Sequence, residues 1–186
     1  FFELNLRVRD LAKSFAYSGI KEGDKVAILS EASIDWIETF YALMLLNAVV
    51  VPLDVKISKN ELANIIEHAD CRFIFASEQF LEYARDIRHG SLSSLKLFTL
   101  GKKWMTLNHE FQINEKSDAL TIICYTSGTL GAPKGVMITK RALLTQMEDL
   151  AEIEKSNHEV SFSILPLNHI YGLTAGPLTT LKCGFE

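Results

Sequence analysis

The fold is decided by residues 25–77, which read KVAILSEASIDWIETFYALMLLNAVVVPLDVKISKNELANIIEHADCRFIFAS. Three short apolar runs, beginning at Lys25, Val49 and Cys71, have the length and composition of buried strands. Two segments with helical spacing of their apolar residues separate these runs. Because right-handed crossovers join such units into a parallel sheet, the alternation predicts a doubly wound α/β fold, with a mostly parallel sheet and helices on both faces.

The two helical segments carry start signals. Ser33 can cap a helix that spans residues 34 to about 46 and is apolar on nearly every face. The second helix, residues 58 to 69, opens with SKNE, a sequence typical of a capping box. A helix that is apolar all round belongs between layers, so Trp36 and Met44 are predicted to be core residues rather than cofactor contacts.

The same alternation extends to both sides of this stretch. An amphipathic helix precedes it, because Leu4, Val8, Leu11 and Phe15 recur at helical spacing before Gly19. The further predicted elements are helices at 78–87, about 139–155 and about 171–182, and strands at 94–101 (an edge strand), 119–125 and near 160–166. Elsewhere in the span from 89 to 116 the signals are weak, and we interpret it as surface connection.

Composition excludes several classes of protein. The 186 residues are 48% hydrophobic and 23% charged, which is typical of a globular chain and not of a disordered one. The formal net charge of −4 argues against nucleic acid as the main partner, because binding to its phosphate backbone requires a basic face. The longest apolar run, residues 40–53, is interrupted by Asn47 and Pro52 and is too short to span a bilayer, so no transmembrane segment is expected.

The three cysteines are widely spaced and form neither a CxxC pair nor a cluster with histidine. This pattern predicts no metal site built on cysteine and fits a reducing compartment, so we expect a cytoplasmic location. Cys124 lies in the apolar run TIICY and is interpreted as a small buried hydrophobe rather than a reactive thiol.

Residues 125–136 read YTSGTLGAPKGV and follow a predicted strand, with a predicted helix after them. A triphosphate site needs backbone amides that can approach closely, hydroxyl donors and a fixed cation, and this loop has all three. A strand, a glycine-rich loop and a helix in that order are also typical of phosphate sites. The candidate phosphate-binding residues are Thr126, Ser127, Gly128, Thr129, Gly131, Lys134 and Gly135.

Two other interpretations of this loop were weighed. In a Walker loop counted from Gly128, the second glycine would fall on Pro133 and the magnesium-binding hydroxyl on Gly135, so a P-loop NTPase is disfavoured. The remaining alternative is a hydroxyl-rich surface turn between a strand and a helix. The joint positions of glycine, proline and lysine favour the phosphate site over such a turn.

The twelve residues of this loop resemble the signature of the adenylate-forming (AMP-binding) superfamily, which includes acyl-CoA synthetases, firefly luciferase-type enzymes and the adenylation domains of peptide synthetases. The chain departs from that signature at Leu130, where the family has a hydroxyl residue, so one possible phosphate hydrogen bond is missing. The chain also resembles these enzymes in the stretch that forms their first subdomain, which here reads GIKEGDKVAILSEASIDWIETFYALMLLNAVVVPLD.

A second segment, residues 165–176, reads LPLNHIYGLTAG and is similar to the motif that follows the loop in this family. The resemblance implies that His169 borders the acyl-substrate pocket near the carboxylate and that Gly172 leaves room for the acyl chain. Without the loop upstream, His169 would be interpreted as a structural hydrogen-bonding residue at the start of a helix.

The resemblance implies an enzyme that activates a carboxylate with ATP. Acyl-AMP would form with loss of pyrophosphate, and coenzyme A or another thiol would then displace AMP. Lys134 is the implied catalytic residue, Thr126 is an implied Mg²⁺ ligand, and a fatty acid is the first choice of substrate. The alternatives are an aryl-acid or amino-acid adenylating domain and a non-catalytic nucleotide-binding scaffold of the same family.

The resemblance also implies that the chain is part of the large N-terminal domain of an acyl-CoA synthetase-like fold. Residues 1–116 would form its first α/β segment, and residues 117–186 the phosphate loop and the start of the acyl-pocket segment. The ribose-binding aspartate and the C-terminal domain with its lysine would lie beyond residue 186, so we expect this piece to be inactive alone. Acyl chain length, the thiol acceptor and the oligomeric state stay open.

Overall fold

A computed structural model describes residues 2–89, 92–102, 104, 116, 118–126, 133–153 and 163–184. Six strands form one sheet in the order β4-β3-β1-β2-β5-β6. The strands are β1 (Lys25–Leu29), β2 (Val49–Pro52), β3 (Cys71–Ala76), β4 (Lys96–Thr99), β5 (Leu120–Thr126) and β6 (Lys134–Thr139). The first five are parallel to one another, and β6 is antiparallel to β5. The predicted doubly wound, mostly parallel sheet is therefore confirmed.

The helices follow the predicted alternation closely. They are α1 (Phe2–Tyr17), α2 (Ile34–Leu45), α3 (Lys59–His68), α4 (Leu81–His89), α5 (Lys140–Ile153), α6 (Ile170–Leu173) and α7 (Thr179–Cys183). Ser33 caps α2 by accepting a hydrogen bond from the Trp36 amide, as predicted. The capping box is also confirmed, because Ser58 and Glu61 exchange side-chain and backbone hydrogen bonds at the start of α3.

Helices cover both faces of the sheet because side chains along each strand alternate between two cores. Val26 and Ile28 of β1 join a core with α1 and α2, whereas Ala27 and Leu29 join a second core with α3 and α4. Phe75 of β3 lies in the first core, with its ring centroid 4.7 Å from that of Phe15 in α1.

Trp36 and Met44 are buried in the first core, as the sequence predicted. The expectation that α2 is apolar on nearly every face is not fully met, because α2 also buries Glu38 and Thr39. The Glu38 carboxylate accepts a hydrogen bond of 2.6 Å from Nε of Arg7 in α1. A buried carboxylate requires such a partner, so this ion pair ties α1 to α2.

The predicted order of strand, loop and helix around the phosphate loop is wrong in one respect. Strand β6 follows the loop directly and pairs with β5, and α5 begins only at Lys140. Val136, Ile138 and Thr139 are β-branched and favour a strand, and pairing with β5 satisfies backbone groups that a helix start would leave unpaired. The loop therefore does not lead into a helix N-terminus.

Two other predicted elements differ from the structure. Within the predicted strand near 160–166, the described residues 163–166 form no strand, and the rest lies outside the described residues. The predicted helix at 171–182 is interrupted by a π-helical turn, Thr174–Leu178, between α6 and α7. Gly176 leaves helical geometry there and Pro177 has no backbone N–H to continue the ladder.

Within the described ranges, none of the helices combines the length and the apolar character that crossing a membrane would require.

Candidate nucleotide-binding site

Thr126 and Lys134 face each other as a cross-strand pair, the last residue of β5 opposite the first of β6. They form the neck of the hairpin whose connection carries the glycine-rich motif. Directly opposed residues in an antiparallel pair lie about 5 Å apart at Cα. The structure thus brings together a hydroxyl and a cation that the sequence assigned to one phosphate site. The predicted phosphate contacts of Ser127, Gly128, Thr129 and Gly131 fall outside the described residues.

The Lys134 side chain is exposed at this neck. Within the parts of the chain that the structure covers, no carboxylate is paired with its ammonium group. An unpaired ammonium keeps its full charge available for an anion such as a phosphate.

Gly135 lies opposite Tyr125 in the same hairpin. A Cβ atom at this position would lie 2.6 Å from Cγ2 of Ile123 and 3.2 Å from Cζ of Tyr125. The missing side chain is therefore explained by packing against β5. The predicted contact of Gly135 with phosphate stays a prediction.

A cavity of about 190 Å³ opens at the carboxyl ends of β2 and β5. We call it the edge cavity. Its lining residues are Pro52, Leu53, Asp54, Ile57, Glu61, Asn64, Ile65, Tyr125, Thr126, Pro133, Asn168 and His169. The carboxyl edge of a parallel sheet is where ligands bind in open α/β folds. Two of the sequence-predicted site residues, Thr126 and His169, meet in this cavity although they belong to different motifs.

Size alone does not identify the site. A larger cleft of about 450 Å³ lies among α1, α2, α5 and α7. Its lining is mostly apolar and includes none of the residues that the sequence assigned to phosphate or acyl binding. The edge cavity is smaller but carries the polar groups that a nucleotide or a carboxylate requires.

His169 stands at the N-cap position of α6 in extended backbone geometry. Its side chain makes no capping hydrogen bond, so the alternative interpretation of His169 as a structural cap is not supported. The side chain is exposed and faces the edge cavity. The ring nitrogens are thus available to a ligand, while the predicted acyl-carboxylate contact stays a prediction.

Gly172 is buried on the inner side of α6. A Cβ atom built on it would fall far inside the van der Waals radius of the Pro166 carbonyl oxygen and would lie 3.0 Å from Cβ of Leu165. The space beside Gly172 is thus occupied by the chain's own backbone, which explains the glycine without a ligand. Its predicted role in leaving room for an acyl chain is not tested by this geometry.

The acidic side chains of the edge cavity already serve the fold. Asp54 accepts a hydrogen bond of 2.9 Å from the Lys56 amide, and Glu61 accepts from Ser58 in the capping box. Hydrogen bonds from the Ser58 hydroxyl, and then from its backbone amide, lower the pKa of Glu61. Where the structure describes the chain, no group of three His, Cys, Asp or Glu side chains could hold a metal. The Thr126 hydroxyl fits a Mg²⁺ that takes its other ligands from phosphates.

Sequence reasoning missed Tyr125 and His68. Tyr125, the first residue of the loop motif, lines the edge cavity, and its hydroxyl lies 2.8 Å from Nδ1 of His68. The two residues are 57 positions apart, so no local pattern could have paired them. Asp54 could have been found, because it follows strand β2 at the carboxyl edge of the sheet.

Cys124 is buried within β5. Burial raises the pKa of Cys124 to about 11, which confirms the interpretation of this residue as an unreactive hydrophobe.

Comparison with known proteins places the chain in a family. The family model of the AMP-binding enzymes matches residues 1–186. A CoA ligase of Gibberella moniliformis is 27% identical over 94% of this chain and 30% of its own length. A 2-succinylbenzoate–CoA ligase of Bacillus cytotoxicus is 34% identical over 75% of this chain and 27% of its own length.

The fold is shared with a solved structure, a candidate long-chain-fatty-acid CoA ligase of Rhodopseudomonas palustris. It superposes with a TM-score of 0.83 at 26% identity, covering 98% of this chain and 48% of that protein. The chain therefore spans about a third of the two ligases and about half of the solved structure. With the sheet, the hairpin motif and a family model that covers every residue, this chain belongs to the AMP-binding enzyme family.

Proposed function

We propose that the full-length protein carrying this chain is an ATP-dependent acid–thiol ligase. The observation that supports this most directly is the hairpin neck, where Lys134 and Thr126 are paired beside a cavity that also contains His169. A cation and a hydroxyl on one side, and a ring able to donate hydrogen bonds on the other, suit a polyphosphate next to a carboxylate. Family membership supports the same activity.

The proposed reaction has two steps. A substrate carboxylate attacks the α-phosphorus of ATP, the bond to the β-phosphate oxygen breaks, and pyrophosphate leaves with both electrons of that bond. The thiolate of coenzyme A then attacks the acyl carbon, and AMP leaves. Negative charge grows on pyrophosphate in the first step, so Lys134 stabilises the transition state more than the bound substrate.

Thr126 and His169 take supporting roles in this proposal. The Thr126 hydroxyl would supply one ligand to Mg²⁺, which neutralises phosphate charge when bound. His169 would orient the carboxylate, and Gly172 would lie behind it on the acyl side. The contacts of Ser127, Gly128, Thr129, Gly131 and Gly135 with the β- and γ-phosphates are part of the same proposal.

A fatty acid is the proposed substrate, on the resemblance of the segment around His169 to that branch of the family. One relative bears the name of a succinylbenzoate ligase, which keeps an aryl acid as the competing choice.

Pyrophosphate–ATP exchange tests the proposal. The full-length protein should incorporate labelled pyrophosphate into ATP only when a carboxylate that it accepts is present, and a panel of fatty, aryl and amino acids identifies that class. The 186-residue chain alone should show exchange no faster than buffer. Absence of exchange by the full-length protein with every acid would contradict a ligase and favour a nucleotide-binding scaffold. Exchange by the short chain would contradict its proposed dependence on further segments.

A further inference from the structure

His68 and Tyr125 form a contact between a helix and the start of the loop motif. His68 is the last residue of α3, and Tyr125 is the next-to-last residue of β5. Nδ1 of His68 lies 2.8 Å from the Tyr125 hydroxyl. The two rings also meet edge to face, with centroids 5.7 Å apart and planes at 88°. The pair thus has a directional hydrogen bond and an aromatic contact at once.

The Tyr125 ring is held on a second side by the returning strand of the hairpin. Gly135 lies opposite Tyr125, and a Cβ built on it would be only 3.2 Å from the ring. The next residue after Tyr125 is Thr126, whose partner across the hairpin is Lys134. Whatever fixes the Tyr125 ring therefore also fixes the neck from which the phosphate loop begins.

This contact is not needed to attach α3 to the sheet. Leu62 and Ile66 are fully buried in the second core and anchor the helix on their own. His68 is exposed at the rim, outside that core. Its hydrogen bond therefore contributes to the position of Tyr125 more than to the packing of the helix.

The protonation state of the tyrosine suits the hydrogen bond. Burial, followed by the nearby Cys71, raises the pKa of Tyr125 above its ordinary value. Its hydroxyl keeps its proton at neutral pH and can donate a hydrogen bond to an unprotonated Nδ1 of His68. Tyr125 and Thr126 both line the edge cavity. The hydrogen bond from Tyr125 to His68 therefore restrains the position of the Tyr125 side chain next to Thr126.

We infer that His68 and Tyr125 are positioning residues that hold the neck of the phosphate loop in place before ATP binds. This inference rests on the proposed ligase function. A hairpin neck that is already held in place loses less conformational entropy when the site binds its ligand, and that gain applies equally to bound ATP and to the transition state. Loss of the pair should therefore raise KM for ATP and leave kcat nearly unchanged.

The test measures carboxylate-dependent pyrophosphate–ATP exchange in the full-length protein. His68→Ala and Tyr125→Phe should each raise KM for ATP by about three- to tenfold, the effect of one net hydrogen bond, with kcat within about twofold of wild type. The double variant should be no worse than either single variant, because both remove the same bond. His68→Asn places an amide atom where Nδ1 stood and should recover most of the wild-type KM.

His89→Ala is the matched control, since His89 is exposed at the end of α4 as His68 is at the end of α3. It should leave KM for ATP unchanged. The inference is overturned if wild type exchanges but the His68 and Tyr125 variants keep its KM, or if their losses add in the double variant. If wild type shows no exchange, the proposed function is contradicted, and this inference fails with it. Thermal unfolding of each variant verifies that it is folded.

Discussion

Lys134 and Thr126 show how side chains eight positions apart come to share one site. Their pairing across β5 and β6 places the ammonium group and the hydroxyl on the same hairpin neck, beside the edge cavity. Neither residue is buried, so neither contributes much to the core. An exposed lysine without a carboxylate partner in the described chain adds little to stability, and in the proposed function its role is to bind an anion.

Replacing Lys134 with alanine should slow adenylation without unfolding the protein. In the proposed mechanism this charge stabilises departing pyrophosphate, so kcat/KM for ATP at subsaturating concentration should fall by roughly 10- to 1000-fold. Lys102→Ala, which removes an exposed lysine at the far side of the sheet, serves as the control and should be neutral. An unchanged kcat/KM for Lys134→Ala would exclude this residue from the mechanism.

Gly172→Ala separates packing from substrate selection. The new methyl group would collide with the Pro166 carbonyl oxygen, so we expect a loss of about 1–3 kcal/mol in the free energy of unfolding, measured by urea denaturation. Activity toward short and long acyl chains should fall together. A fully stable variant that merely prefers shorter acids would show that the glycine faces an acyl chain instead.

Strand β6 is the element that the sequence pattern did not predict. The sequence pattern assigns Lys134 and Gly135 to the loop and predicts a helix from about residue 139, with no strand between them. In the structure these residues form an antiparallel strand on an otherwise parallel sheet. A strand of six residues cannot be told from a connection by local pattern alone, since it is stabilised by hydrogen bonds to a partner strand.

The hydrogen bonds at the start of α3 should make the stability of the protein depend on pH. Hydrogen bonds from Ser58 lower the pKa of Glu61 below its ordinary value of 4.5 in the folded chain. The stabilisation is therefore complete above pH 4.5 and is lost as the pH falls through the lowered value. We expect Glu61→Gln to flatten the fall in thermal stability below this pH. Ser58→Ala removes the hydrogen bond from the hydroxyl but keeps the one from the backbone amide, so it should flatten the fall less. A dependence as steep as wild type in both variants would contradict the assignment.

The whole molecule depends on two cores that share one sheet. The first core joins α1, α2 and the aromatic side chains of β3, and the second joins α3 and α4. Phe75 is central to the first, since its ring lies between Phe15 of α1 and Phe98 of β4, with centroids 4.7 Å and 5.2 Å away. The two cores hold β2 and β5 side by side, which creates the cavity at their carboxyl ends.

Phe75→Ala should destabilise the entire chain. Removing a fully buried ring leaves a cavity between α1 and β4, and we expect a loss of about 3–5 kcal/mol in the free energy of unfolding. Phe2→Ala is the control, because that ring is 75% exposed and its removal should change stability little. Similar effects of the two substitutions in chemical denaturation would contradict the described core.

Helices α1 to α5, the five parallel strands and both helix caps could be predicted from the amino-acid sequence, because each depends on residues close together in the chain. Only the tertiary structure decided that β6 pairs with β5, that Gly135 and Gly172 are needed for close packing, and that His68 meets Tyr125. The strand pairing and the contact of His68 with Tyr125 join residues that are separated along the chain, and no local periodicity encodes them. The collision that Gly172 avoids depends on the path of the chain between Pro166 and α6, which the sequence pattern does not specify.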